Sequence, residues 1–500
     1  METILISIYT LALILIFCYS LVQLHLVIKY VKFHKNKKAG LKPSIHSIME
    51  KDLPFVTVQL PIFNELYVVE RLIDNIAVFD YPREKFEIQV LDDSTDETVD
   101  ISRRKVNEWK EKGINIELIT RKERKGFKAG ALSEGLKTAK GEFIAIFDAD
   151  FVPERDFLKR TIPYLYNDPQ LGVVQTRWEH LNKNYSILTK IQAFALDAHF
   201  TVEQQGRNAG GYFINFNGTA GVWRRQCIDD AGGWDSDTLT EDLDLSYRAQ
   251  IKGWKFRYLE DIGSPAELPV AMNAIKSQQF RWTKGGAETA KKNISRIWHS
   301  KAKLGQKLHG TAHLLNSQVF LFTLICSVLS VPLLLIKNVM PSFSTWFALL
   351  SVFICCFIIL GAFYYCSIYR RFESRMRAVG YLVSIFPLFL SMSMGISLHN
   401  TIAVLEGLLG FKSPFIRTPK FNVSKDNKKW QENKYLDKKV SSRTMLEVIL
   451  SLYFLFGAII AFLIKDFGLF PFHTMLFAGF GMVAYYTVKH SRAKEEAPAN

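Results

Sequence analysis

Gly141-Glu-Phe-Ile-Ala-Ile-Phe-Asp-Ala-Asp150 is the stretch that decides the fold. Phe143 to Phe147 is an unbroken apolar run, short enough for a strand buried on both faces. It ends in two carboxylates one residue apart, Asp148 and Asp150. In an α/β sheet, ligands bind beyond the carboxyl ends of the strands. Two hard oxygen donors there suit Mg2+ or Mn2+, which keep some water and also bind phosphate oxygens. A lone Asp-x-Asp is more often a solvated strand-to-loop corner, so the neighbouring segments must decide.

Upstream, Phe55-Val-Thr-Val-Gln-Leu60 predicts a first buried strand, followed by Pro61-Ile-Phe-Asn-Glu65 and a helix over 68–78. Phe86–Leu91 predicts a second strand, ending at Asp92-Asp-Ser-Thr-Asp96, and Ile114–Thr120 a third. Lys128-Ala-Gly-Ala-Leu132 opens a further helix. Strands alternating with helices imply a mainly parallel, doubly wound α/β sheet, here within residues 52–300. Its strand ends bring Glu65, Asp92/Asp93 and Asp148/Asp150 to one edge, which suits a metal and a polar ligand. Lys128, in the first turn of a helix, is placed to meet a diphosphate. No Gly-x-Gly-x-x-Gly follows the first strand and no Walker A loop is present, which excludes the usual dinucleotide and P-loop sites.

Two clusters follow downstream. In Thr240-Glu-Asp-Leu-Asp244, Asp242 is a candidate general base, with Glu241 and Asp244 beside it. Acidic residues in a helix's first turn also simply complement the dipole. In Gln278-Gln-Phe-Arg-Trp282, Arg281 offers bidentate phosphate contact and Trp282 a flat face for stacking. The same segment also fits an amphipathic helix with an aromatic anchor at a membrane surface.

The formal net charge is +15 over 500 residues, but many of the basic residues flank apolar spans instead of clustering on one face, against nucleic-acid binding. Ile4–Ile28 is long enough to cross a bilayer, and Lys29, Lys32, Lys35, Lys37, Lys38 and Lys42 follow it. This pattern predicts an uncleaved anchor over 1–30 with its C-terminal side in the cytosol. Further apolar segments are 314–336, 346–368, 445–464 and 471–488; 379–409 is long for one crossing and short for two. The expected organisation is the anchor, a cytosolic domain over 52–300, transmembrane and interfacial helices over 311–410, a basic cytosolic loop over 411–444, and a hairpin over 445–489. That is a multi-pass plasma or inner membrane protein with its catalytic domain in the cytoplasm. Only Cys227 of six cysteines lies outside the apolar segments, so no disulfide framework can form in the soluble part.

Taken together, the motifs resemble those of inverting family-2 glycosyltransferases of the cellulose-synthase-like and mannan-synthase-like group. The resemblance rests on Pro61–Glu65, Asp92-Asp-Ser94, Lys128–Leu132, Asp148-Ala-Asp150, Phe216-Asn-Gly-Thr-Ala-Gly221, Gly232-Gly-Trp234, Thr240-Glu-Asp242 and Gln278–Trp282, in that order. It implies a nucleotide-diphospho-sugar transferase fold of GT-A type inserted in an α-helical membrane bundle. It also implies roles. Glu65 and Asp93 bind nucleotide, Lys128 lies near the diphosphate, and Asp148 and Asp150 hold Mg2+ or Mn2+ and nucleotide. Asp242 is the base. Gln278, Arg281 and Trp282 line the acceptor and pyrophosphate side, with Phe216, Asn217 and Gly218 near the acceptor. Phe415-Ile-Arg-Thr-Pro-Lys420 is similar to the gating loop of cellulose synthases. No cyclic-dinucleotide-binding domain follows, so that control is not expected.

The expected activity is transfer of glucose or mannose from UDP-glucose or GDP-mannose to a growing β-linked polysaccharide, coupled to its translocation. One alternative is a non-processive enzyme acting on a membrane lipid of ceramide or diacylglycerol type. Another is a catalytically silent scaffold subunit, against which the intact carboxylates argue.

Overall fold

The structure is a computed structural model that describes residues 2–38, 48–340, 343–413, 416–423, 430–437 and 439–492. Seven strands form one sheet: β1 (Val56–Ile62), β2 (Phe86–Asp92), β3 (Ile116–Ile119), β4 (Phe143–Ile146), β5 (Leu171–His180), β6 (Gly221–Arg224) and β7 (Lys255–Ala266). Their order is β3-β2-β1-β4-β6-β5-β7. β1, β2, β3 and β4 are parallel, as the alternation of strands and helices predicts. The sheet is mainly parallel, as expected, with β6 the one reversed strand, antiparallel to both β4 and β5. Four residues long, β6 carries no crossover signal that sequence periodicity could register.

The central strands are buried on both faces, and their apolar residues join one core with Leu72, Ile73 and Ile76 of the Val69–Ala77 helix. Polar residues on the opposite face, toward the Phe127–Thr138 helix, are paired across strands. Thr57 donates to Glu87 at 2.7 Å and Gln59 to Gln89 at 3.0 Å. Without such partners each buried group would cost about 1–3 kcal/mol.

By length and composition, five described helices could cross a membrane: 2–37, 316–339, 344–371, 375–395 and 442–463. The expected span at 471–488 falls in the Phe470–Ser491 helix, which is not among the five but packs along Ser442–Leu463. The anchor helix runs past residue 30 to Lys38, and Lys37 pairs with Asp261 at the rim of β7. The awkward segment 379–409 divides into Arg375–Gly395 and Ser397–Leu409. The second of these, 13 residues long, spans only about 20 Å. It packs on the Met272–His299 helix so closely that a Cβ on Gly407 would lie 2.7 Å from the Lys284 carbonyl oxygen.

Candidate active site

The parallel strand ends and the start of β6 open into one cleft. Its walls include Glu65, Asp93, Lys128, Asp148, Asp150, Asn217, Gly218, Glu241, Asp242, Gln278, Arg281 and Trp282. Residues nearly 220 positions apart in sequence thus face one volume. Because β6 is antiparallel, its N-terminal end lies beside the C-terminal end of β4. Ala220 N–H donates to the Ile146 carbonyl at 2.8 Å, and Asp148 N–H to Thr219 Oγ1 at 2.8 Å. Ser246 and Gln175 accept from the Phe216 and Asn217 amides and shape the turn before β6. Gly218 has φ +78°, and a Cβ there would lie 3.1 Å from Asp242 Oδ2. Only a residue without a side chain brings this turn so close to Asp242.

Phe216 departs from its expected place. Its ring is fully buried against Trp223 in the core and does not line the cleft; Asn217 and Gly218 do. An aromatic ring next to a turn gains more from the core than from a wet cleft.

On the donor side, Lys128 Nζ donates to Asp148 at 2.5 Å and to the Gly218 carbonyl at 2.9 Å. Lys420 Nζ contacts Asp150 Oδ2 at 2.7 Å, while Asp150 Oδ1 is buried with no hydrogen-bond partner. Asp93 is gripped by Arg121, whose Nε donates at 2.9 Å. Glu65 meets Arg417 at 2.6 Å in an ion pair of poor hydrogen-bond alignment. Burial nonetheless pushes the Glu65 pKa up to about 7, against the pull of Arg417 and Lys420.

Asp242 lies in the first turn of the Glu241–Ile251 helix. Its carboxylate is partly open to the cleft and otherwise enclosed. Burial, and then the Glu241 carboxylate beside it, push its pKa up to about 7, against Lys128. Asp244 is excluded as a substitute base: it is fully buried and held by Arg248, Lys292 and Asn293. Arg281 donates to Thr418 Oγ1 at 2.9 Å.

A second cleft adjoins the first. Trp178, Leu196, Asn217, Thr240, Asp242 and Trp282 line both. It continues past His199, Gln279, His313 and Asn316 to Tyr19 of the anchor helix and Phe320 of the Val319–Val339 helix.

Sequence reasoning did not single out Glu267, Trp178, His180 or Arg124, all in the cleft wall. Glu267 follows β7 directly, the same strand-end position that marked Asp148. The irregular register of β5 against β7 hides those strands from a period-2 search. Thr418 and Lys420 line the cleft, as does Arg417 between Ile416 and Thr418; Phe415 lies outside the described residues.

Residues 54–285 match the family model described as glycosyltransferase like family 2. A probable glucomannan 4-beta-mannosyltransferase 4 of Oryza sativa subsp. japonica is 43% identical over 281 residues, 55% of this chain and 51% of that one. Glucomannan 4-beta-mannosyltransferase 7 of Arabidopsis thaliana is 40% identical over 296 residues, 57% of this chain and 53% of that one. The chain thus spans about half the length of the curated relatives it matches. Among solved structures, mannosyltransferase PcManGT from Pyrobaculum calidifontis, in complex with GDP-Man and Mn2+, superposes with a TM-score of 0.53 at 19% identity. That alignment covers 82% of this chain and 100% of that one, and the likeness is one of fold. Residues 54–285 thus resemble a glycosyltransferase family 2 domain, and the fold they share with PcManGT is GT-A-like.

Proposed function

We propose that the chain is a membrane-integrated inverting hexosyltransferase that extends a β-linked polysaccharide from a nucleotide-diphosphate sugar. Mannose from GDP-mannose is favoured over glucose by the names of the relatives. The observation that carries the reading is the position of Asp242, at the junction of the donor cleft and the second cleft. A carboxylate with pKa about 7 is poised to take a proton from an acceptor hydroxyl near neutral pH. One base and no carboxylate nucleophile give a single displacement, which turns an α-linked donor into a β-linkage.

Asp148 and Asp150 fit a divalent cation: both offer hard oxygen donors, and one buried Asp150 oxygen has no other partner. Bound there, Mg2+ or Mn2+ would neutralise charge on the departing diphosphate. Lys128 and Arg281 add fixed positive charge on the same side. Trp282, shared by both clefts, offers the face on which an acceptor sugar stacks. Polar and aromatic groups along the second cleft suit a sugar chain better than a lipid tail. Its extension to Tyr19 and Phe320 supports a route for polymer between the membrane helices.

The test is a panel of nucleotide sugars offered to the purified protein, followed by sizing of the product. Long β-linked polymer is expected. A single-sugar glycolipid would establish the lipid alternative, and the absence of any transfer or donor hydrolysis would leave the scaffold reading.

A further inference from the structure

The donor carboxylates are already neutralised by the protein's own cations, and these come from a segment remote in sequence. Lys420 reaches Asp150 at 2.7 Å and Arg417 reaches Glu65 at 2.6 Å. Both sit in residues 416–423, which have no secondary structure of their own. A third carboxylate helps to seat the segment, beside Asn433, which donates to the Lys420 carbonyl at 2.9 Å, and Arg71, which donates to Asn422 at 2.7 Å. Glu267, 5% exposed, accepts backbone N–H groups from Phe421 at 3.0 Å, Asn422 at 2.9 Å and Val423 at 3.4 Å. Three convergent amides on a buried carboxylate form a rigid clamp, since charge-assisted bonds of this kind are about twice as strong as neutral ones. The clamp holds the residues immediately after Lys420, so it sets where that ammonium falls.

This arrangement creates a conflict. An ammonium on Asp150 and a divalent cation on the same carboxylate repel each other at short range. We propose that Glu267 is a positioning residue that seats Lys420 and Arg417 as built-in counter-ions, which the donor's cation must displace before the donor can bind. The proposal rests on the donor-site reading above and deepens it. The donor carboxylates are kept electrically balanced by the protein itself, and cation affinity is set by how firmly Glu267 holds the segment. The ligand class is a divalent cation carrying a nucleoside diphosphate, whose phosphates then take over the displaced Lys420 and Arg417.

The test is titration of Mn2+ into the full-length protein in detergent without donor, with bound metal read by electron paramagnetic resonance. A seated segment lowers the apparent affinity by the fraction of open molecules, so seating nine times in ten is worth about tenfold. Lys420→Met should therefore bind Mn2+ about tenfold more tightly than the native chain, and Lys420→Arg about as the native chain does. Glu267→Ala should also bind more tightly, because the clamp is gone. The sign is decisive: if Glu267 acted only through its own charge near Asp150, its removal would weaken cation binding. If it acts through Lys420, the double variant Lys420→Met/Glu267→Ala gains nothing over Lys420→Met. Asp150→Asn locates the metal. Mn2+ binding that Asp150→Asn abolishes but Lys420→Met leaves unchanged or weakens overturns the counter-ion proposal and keeps the donor site. Weaker binding in Glu267→Ala overturns its positioning role. Absence of any Asp150-dependent Mn2+ binding, in the native chain and in Lys420→Met, overturns both the proposal and the metal reading.

Discussion

Gly285 and Thr240 are in direct contact: a Cβ on Gly285 would lie 2.6 Å from Thr240 Cγ2 and 2.9 Å from the Thr240 amide nitrogen. The helix that carries Arg281 and Trp282 therefore rests on the residue just before Glu241 and Asp242. Gly285→Ala should push the Asp242 turn aside. A displacement of about 1 Å at a reacting group costs about 10²-fold in rate. Turnover should fall by that order while donor affinity, set on the other wall, stays unchanged. Native turnover in Gly285→Ala would mean that the turn yields without moving Asp242.

Asp242→Asn preserves size and removes proton affinity. Loss of a general base costs about 10²–10⁴-fold in rate. Calorimetric donor binding should survive. If donor affinity collapses as it does in Asp150→Ala, Asp242 belongs to the nucleotide site and the mechanism is wrong.

The pH profile carries a second signature. Asp242 must be ionised to accept a proton, and burial has raised its pKa to about 7. Its base form is lost as pH falls through that value, so kcat should drop on the acid side, about tenfold per unit well below the pKa. Glu65 titrates in the same range, with its pKa also about 7. The two separate by observable: a change in donor affinity reports Glu65, a change in kcat at saturating donor reports Asp242.

Replacing Asp148 or Asp150 by Ala should abolish transfer, and EDTA should do the same to the native protein. Full activity in EDTA would sink the metal assignment.

Trp282→Ala removes a stacking face worth about 0.5–1.5 kcal/mol between aromatic partners. Acceptor engagement should weaken and the polymer shorten, with donor affinity unaltered. Product of native length would place acceptor binding elsewhere in the second cleft.

Most of the donor wall was legible because parallel strands convert sequence into position. An apolar run followed by a carboxylate gives Asp148, Asp150, Asp93 and Glu65 by one rule. Lys128 was legible for a similar reason, as a cation in a helix's first turn. Glu267 obeys the same strand-end logic, yet β7 carries Lys255, Arg257, Glu260 and Asp261 within it and does not read as a buried strand. Phe216 was misplaced because its motif neighbours Asn217 and Gly218 do face the cleft, while the chain turns between them. Arg417 and Glu65 lie more than 350 residues apart, and no periodicity links them.

The reversed strand β6 has an effect on how the catalytic wall is divided. Parallel strands deliver side chains to the edge only as the chain leaves the sheet, so their contributions trail each strand. β6 delivers Asn217 and Gly218 as the chain enters it. The floor of the cleft is therefore a seam where outgoing and incoming chain meet, pinned by the Ala220–Ile146 and Asp148–Thr219 bonds. Asp148 and Asp150 hang on the outgoing side and the turn against Asp242 on the incoming side. Substitutions in the incoming half that spare Thr219 and Ala220 should leave the register that holds Asp148 and Asp150 undisturbed.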